Sequence, residues 1–248
     1  MDRMPHPVEV AASSLTEFGG AREQRGEMRD YGLYVITFRG PQGARGHLDV
    51  AEAALQGGAR AIQLRDKELP GRDLLELALR IRSLIELRRP GTVFLVNDRV
   101  DVAAAAGADG VHLGQQDLPC TAARRILGPG AIIGVSASSV EEARKAQEEG
   151  ADYLGVGPVF PTPSKEDAAP PMGLEGLAEV RRLTGLPLVA IGGITEDNAA
   201  AVLRAGADGI AVISAVYAAP DMTEAVRRLS RLVEEERRRP GSHPGRGE

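Results

Sequence analysis

Tryptophan is absent from this chain, cysteine occurs once, and aromatic residues make up only 3% of it. The single Cys120 has no partner within the chain for a disulfide, and one thiol with four scattered histidines offers no zinc-ligand spacing. Charge of neither sign dominates. With 30 Lys plus Arg against 35 Asp plus Glu, the net charge is −5 and the pI is near 5.5, which argues against nucleic acid or a polybasic membrane surface as the main partner. No stretch reaches the roughly 18 uninterrupted apolar residues of a membrane span. The N-terminus shows no apolar core behind basic residues, so no secretory signal is read there. These absences predict a soluble protein of the cytoplasm. What remains is ordinary globular material: 43% of the 248 residues are hydrophobic and 26% charged, which excludes bulk disorder, collagen and coiled coil. The length suits a single α/β barrel of about 250 residues.

Lysine is also scarce, since arginine fills nearly every basic position and only Lys67, Lys145 and Lys165 stand apart. Lys145 lies in EEARKAQEEG with acidic neighbours at helical spacing and reads as a solvated face. The other two follow predicted strands, where a compact point charge has a use.

Residues 1–30 mix Ser, Gly, Arg and Glu without period and predict a mobile N-terminal extension; 237–248 predict a disordered C-terminal tail. Between them, over 31–236, eight short β-branched or apolar runs alternate with amphipathic segments of helical length. YGLYVIT, AIQLR, TVFLVN, GVHL, AIIGVS, YLGVG, LPLVAIG and GIAVIS are the runs, and Leu74, Ala78, Ile81 and Ile85 mark one apolar helix face. Strict βα order gives a parallel sheet. Gly-Ala recurs before predicted strands 2, 4, 6 and 8, at Gly58, Gly107, Gly150 and Gly206. Glycine there supplies a left-handed helix cap, and a device returning every second unit favours a closed (β/α)8 TIM barrel over an open sheet. In such barrels the chemistry sits on the loops after the strands.

The strand ends therefore carry the candidates. With period two, Ile62 and Leu64 face the helices while Gln63 and Arg65 point into the barrel, with Lys67 at the rim. An inward Arg needs an anion, either a ligand or a carboxylate such as Asp66. Asn97-Asp98 ends strand 3, and Asp117 follows strand 4. Two carboxylates on adjacent strand ends suit Mg2+ or Mn2+. The alternatives are an ion pair of Asp98 with Arg99 or Arg65, and a helix cap at Asp117. Ser136 ends strand 5 and offers a hydroxyl to phosphate, while Ser138 and Ser139 read as caps. His112, inside strand 4, reads as a packed or hydrogen-bonded histidine. The long loop after strand 6 holds Thr162, Ser164 and Lys165, an anion cradle able to close over substrate. Gly193 after strand 7 and Ile213-Ser214 after strand 8 occupy the two loops that bind phosphate in this fold. The sum is a site for two phosphorylated ligands or one large one, without a nucleophile or general base. Chemistry there is driven by stabilising a departing anion. A sugar-phosphate isomerase would need a Glu or Cys base at a strand end, and none is present.

QLRDK at 63–67, VNDRVDVAAAAGADGVHLGQQDLP at 96–119, GVSASSVEEA at 134–143, GADYLGVGPVFPTPSK at 150–165 and AIGGITEDNAAAVLRAGADGIAVIS at 190–214 resemble the thiamine phosphate synthase family, from about residue 31 to 220. The resemblance implies a transferase coupling hydroxymethylpyrimidine diphosphate to thiazole phosphate with Mg2+ as cofactor. It implies that Gln63, Arg65, Lys67, Asn97, Ser136 and Lys165 bind the pyrimidine diphosphate. Asp98 and Asp117 would hold Mg2+, and Thr162, Ser164, Gly193 and Ser214, with Ile213 beside them, would face the thiazole phosphate. The implied catalytic set is Lys165, Arg65, Lys67 and Ser136, acting through dissociative loss of diphosphate. Two positions depart from the family pattern: Ser164 replaces a threonine of the lid motif, and Ser138 stands where many relatives carry histidine. The rival readings are a thiazole phosphate tautomerase and a non-catalytic phosphate-binding barrel. The apolar outer helix faces leave a homo-oligomer open.

Overall fold

The computed structural model describes residues 31–40, 45–162 and 169–239. Eight parallel strands pair in sequence order and close on themselves: β1 (Gly32–Ile36), β2 (Ala61–Leu64), β3 (Val93–Asn97), β4 (Gly110–Leu113), β5 (Ile132–Ala137), β6 (Tyr153–Val156), β7 (Leu188–Ile191) and β8 (Gly209–Val212). The closing seam aligns Leu33 with Ile210 and Val35 with Val212. Outside lie α1 (His47–Gly57), α2 (Gly71–Arg88), α3 (Val100–Ala106), α4 (Cys120–Leu127), α5 (Val140–Glu148), α6 (Gly173–Leu183), α7 (Glu196–Arg204), α8 (Ser214–Tyr217) and α9 (Met222–Arg237). The eight predicted strands all form and the barrel is closed. The helices number nine among the described residues, because a four-residue turn of helix, α8, intervenes between β8 and the long α9. The expected N-terminal extension lies outside the described residues, as does the C-terminal tail beyond Arg239.

Alternation along each strand sorts the core into two shells. Ile62, Leu64, Val96, Val111, Ile133 and Leu154 face the helices and pack with Leu74, Ala78, Ile81 and Ile85 of α2 and their counterparts. Each buried Val, Leu or Ile among them contributes about 1.5–3 kcal/mol. The other shell fills the barrel: Tyr34, Ile36, Ala61, Leu95, Ile132, Tyr153, Val189 and Ala211, with Tyr31 beneath. Three of the four tyrosines in the chain thus go to the barrel interior.

The Gly-Ala repeat proves to have a third member. Gly58, Gly107, Gly150 and Gly206 all take left-handed φ, at 94°, 60°, 85° and 113°, as a helix-ending glycine should. In three of the four repeats the next residue after Ala is an aspartate whose Oδ2 accepts a backbone N–H from the start of the preceding strand. Asp109 accepts from Phe94 at 2.7 Å, Asp152 from Ile133 at 2.7 Å, and Asp208 from Leu188 at 2.8 Å. Arginines complete two of the clamps, Arg124 on Asp152 at 2.6 Å and Arg181 on Asp208 at 3.1 Å. This girdle ties the N-terminal ends of the strands, the face that serves stability in such barrels, and leaves the opposite rim to function.

Candidate active site

At the C-terminal rim the strand ends converge on one cavity of about 270 Å³. Arg65, Lys67, Asn97, Asp98, Asp117, Ser136, Thr162, Gly193, Ile213 and Ser214 all line it, and Gln63 lines a smaller cavity of about 20 Å³ directly below. Arg65, Asn97 and Ser136 border both spaces, so the two are floor and mouth of one site. Ser164 and Lys165 lie outside the described residues.

Asp98 takes the left-handed backbone region at φ 59°, which few residues other than Gly, Asn and Asp tolerate. Its amide donates to the His112 carbonyl at 2.9 Å, and its own carbonyl accepts from Val100 at 3.1 Å, which fixes that conformation. Asp117 does not cap α4, whose N-cap is Pro119. It accepts instead from the Gly114 amide at 2.6 Å, a turn that aims the carboxylate at Asp98. Burial, and then the hydrogen bond and charge of Asp117, push the Asp98 carboxyl from 3.8 up to about 6, against the opposing pull of Lys67 and Arg65. Lys67 Nζ stands 3.9 Å from Asp98. Two carboxylates held in contact form an oxygen-only donor pair. That set suits Mg2+, which takes one or two carboxylates and completes its shell with water and phosphate oxygens. Among the described residues no cluster of three or more His, Cys, Asp or Glu forms a fuller cage.

Arg65 has no carboxylate within ion-pair distance among the described residues, and it borders both spaces of the cavity. Asp66, the internal partner considered from sequence, is turned away. Its Oδ1 accepts from the amides of Glu68 at 2.8 Å and Leu69 at 2.9 Å, and its Oδ2 accepts from His47 Nε2 at 3.0 Å. His47 Nδ1 in turn meets Thr37 Oγ1 at 2.8 Å. Burial lowers the His47 pKa, and the hydrogen bond to Asp66 only partly opposes it. Burial acts to raise the Asp66 carboxyl, but the Glu68 amide, His47 and the Leu69 amide together hold it below its usual value. This buried brace shapes the turn that carries Lys67. Arg99, the other proposed partner of Asp98, pairs with Asp101 at 2.6 Å, and Lys145 pairs with Glu149 at 3.9 Å on an exposed helix face.

The floor is a feature that strand-end reading does not reach. Gln63 Nε2 donates to the Tyr34 hydroxyl at 2.6 Å, Tyr34 meets the Tyr153 hydroxyl at 3.0 Å, Tyr153 meets His112 Nδ1 at 2.8 Å, and His112 Nε2 meets Ser136 Oγ at 2.9 Å. Five side chains from β2, β1, β6, β4 and β5 thus form one chain across the barrel. The available signal was glycine inside strands. A Cβ on Gly134 would lie 2.1 Å from Tyr153 Cζ, and one on Gly155 would lie 2.7 Å from His112 Cε1. A mid-strand glycine marks such a close approach.

On the far wall, Gly192 and Gly193 take φ 99° and 62°. Their lack of Cβ serves packing as well as any ligand, because a Cβ on Gly193 would lie 2.6 Å from the Pro161 carbonyl oxygen. Thr195 caps α7 in a box with Asn198, and Ser139 caps α5. Ser214 opens α8 and faces the cavity.

The model of one family, described as thiamine monophosphate synthase, matches residues 33–216. The chain belongs to that family. A thiamine-phosphate synthase of Moorella thermoacetica is 53% identical over 206 residues, which span 83% of this chain and 97% of that protein. One of Methanoculleus marisnigri is 56% identical over 199 residues, 80% of this chain and 93% of its own. The solved thiamine phosphate pyrophosphorylase of Pyrococcus furiosus superposes with a TM-score of 0.74 at 46% identity, covering 83% of this chain and 96% of that one. These relatives lend no support to a tautomerase or to a silent barrel. No helix among the described residues is long and apolar enough to cross a membrane.

Proposed function

We propose that this barrel is a cytoplasmic transferase that joins hydroxymethylpyrimidine diphosphate to thiazole phosphate, yielding thiamine phosphate and diphosphate. The observation that carries the reading is one cavity with Arg65, Lys67 and the facing carboxylates on one wall, and the Gly193 and Ser214 loops on the other. A polar ligand at each wall, with their reacting ends meeting in the middle, accounts for both halves.

Asp98 and Asp117 would hold Mg2+, which when bound adds positive charge beside the diphosphate oxygens. Arg65 and Lys67, with Lys165 from the loop after β6, bind the diphosphate and favour its departure. Gln63, Asn97 and Ser136 orient the pyrimidine over the floor. Thr162, Ser164, Gly193 and Ser214, beside Ile213, bind the thiazole phosphate. The methylene–oxygen bond of the pyrimidine diphosphate breaks, and its electron pair leaves with diphosphate. The methylene cation left behind is stabilised by the aminopyrimidine ring. The thiazole nitrogen lone pair then forms the new carbon–nitrogen bond. No proton is removed, so the scarcity of bases in the cavity is no obstacle. Holding the two reactants in line contributes much of the rate.

The test is diphosphate release by purified protein with Mg2+ and both substrates, each omitted in turn. Release that needs both, with thiamine phosphate formed and activity abolished by Lys165→Ala or Asp117→Ala, is the expected result. Saturable thiazole phosphate binding without product overturns the reading.

A further inference from the structure

We propose that the buried chain from Gln63 to Ser136 runs in one direction only, so that His112 and Tyr153 are positioning residues that present the Ser136 hydroxyl to the ligand as a hydrogen-bond donor. The use of that donor rests on the synthase reading; the direction of the chain does not.

Proton counting sets the direction. Each phenol has one hydrogen, and burial raises the pKa of both Tyr34 and Tyr153, so each keeps it. The Gln63 amide nitrogen donates to the Tyr34 oxygen at 2.6 Å. Tyr34 then spends its hydrogen on Tyr153, at 3.0 Å, and Tyr153 spends its own on His112 Nδ1, at 2.8 Å. With Nδ1 accepting, a neutral imidazole carries its proton on Nε2 and donates to Ser136 Oγ at 2.9 Å. The serine oxygen is satisfied as an acceptor, which leaves its hydrogen directed at the cavity. The reverse direction is also self-consistent in isolation, with every bond inverted by a flip of the Gln63 amide. The surroundings choose between them. Gln63 and Arg65 border the same floor cavity, and a guanidinium only donates. With the amide nitrogen on Tyr34, the amide oxygen is left for the space that this cation shares, where an acceptor is the favoured neighbour. An aminopyrimidine fits the result, offering N–H to the Gln63 oxygen and an acceptor atom to Ser136.

The chain has rigid backing. Tyr153 packs on Tyr31 with ring centroids 4.5 Å apart and planes tilted by 38°, and the missing Cβ atoms of Gly134 and Gly155 make room for the Tyr153 and His112 rings. Such backing holds one rotamer at each link, which makes the direction a property of the folded barrel.

Nitrogen NMR of the full chain carrying 15N-labelled histidine reads the tautomer without substrate, and the His112 signals are assigned by their loss in His112→Gln. The expected spectrum places the His112 proton on Nε2, and Tyr153→Phe shifts that signal toward a tautomer mixture. A proton on Nδ1, or a His112 spectrum indifferent to Tyr153→Phe, overturns the proposal. Kinetics supply the second arm. His112→Gln keeps a donor near the Nε2 position, whereas His112→Asn keeps only an acceptor for Tyr153. The proposal expects kcat for the Gln variant to exceed that of the Asn variant, and Tyr153→Phe to lower kcat by roughly threefold to tenfold, the worth of one neutral hydrogen bond. An Asn variant equal to or better than Gln refutes it. Should the protein lack synthase activity while His112 shows the Nε2 proton, the function falls and the chain stands.

Discussion

Asp98→Asn should make the metal-free protein more stable while removing its activity. In the fold the Asp98 carboxyl sits at about 6 instead of 3.8, chiefly through burial and the neighbouring Asp117. Asp98 therefore binds its proton more tightly when folded. The stability this confers is fully present below 3.8 and is lost as pH rises through about 6. The rise corresponds to at most about 3 kcal/mol of cost for the charged form, and to about 1–2 kcal/mol once solvent screening at the rim is counted. Asparagine resembles the neutral acid, and it tolerates the φ of 59° that Asp98 adopts. With about 2–4 °C per kcal/mol for a domain of this size, the variant should melt about 2–8 °C above the parent in metal-free buffer near pH 8. The gain should shrink as the pH falls below about 6 toward 3.8. Mg2+ should raise the melting temperature of the parent and leave the variant nearly unmoved, because one of its two carboxylates is gone. Thermal unfolding at both pH values, with and without Mg2+, measures all of this. A variant that melts below the parent without metal near pH 8 would show that the two carboxylates do not repel as argued.

Removing a girdle carboxylate should act on stability alone. Asp208→Ala leaves the Leu188 amide and Arg181 without their acceptor and should cost about 3 kcal/mol in urea unfolding, with kcat at low temperature unchanged; a loss of activity in proportion would place the girdle in the machinery. Gly155→Ala forces a Cβ to within 2.7 Å of the His112 ring and should cost about 1–3 kcal/mol while lowering kcat; unchanged thermal unfolding would mean that the ring moves freely. His47 has a lowered pKa from burial, so its contribution to stability is present above 6.5 and lost as pH falls. His47→Gln should accordingly weaken the acid dependence of unfolding below about pH 6.5, and equal slopes for parent and variant would remove His47 from the account.

The sequence by itself determined the strands, their order and their faces. Period-two alternation sends Ile62 and Leu64 to the helices and Gln63 and Arg65 inward, and left-handed glycines at a two-unit spacing announce closure. The rule that function gathers after the strands then collects Lys67, Asp98, Asp117, Ser136, Gly193 and Ser214, and all of them do line one cavity. These features are local: a residue's face follows from its neighbours in the chain. What the tertiary structure decided is which inward residues meet. Tyr34 and Tyr153 are 119 residues apart and His112 and Tyr153 are 41 apart, and periodicity says nothing of where around the barrel each strand stands or how deep each side chain reaches. The same holds for Asp66, which sequence offers as a partner for Arg65 and which the fold gives to His47, and for Asp117, which looks like a helix cap and instead faces Asp98. Alternation fixes the side of the sheet on which a residue lies; only the closed barrel, with its fixed stagger between strands, turns that into contact.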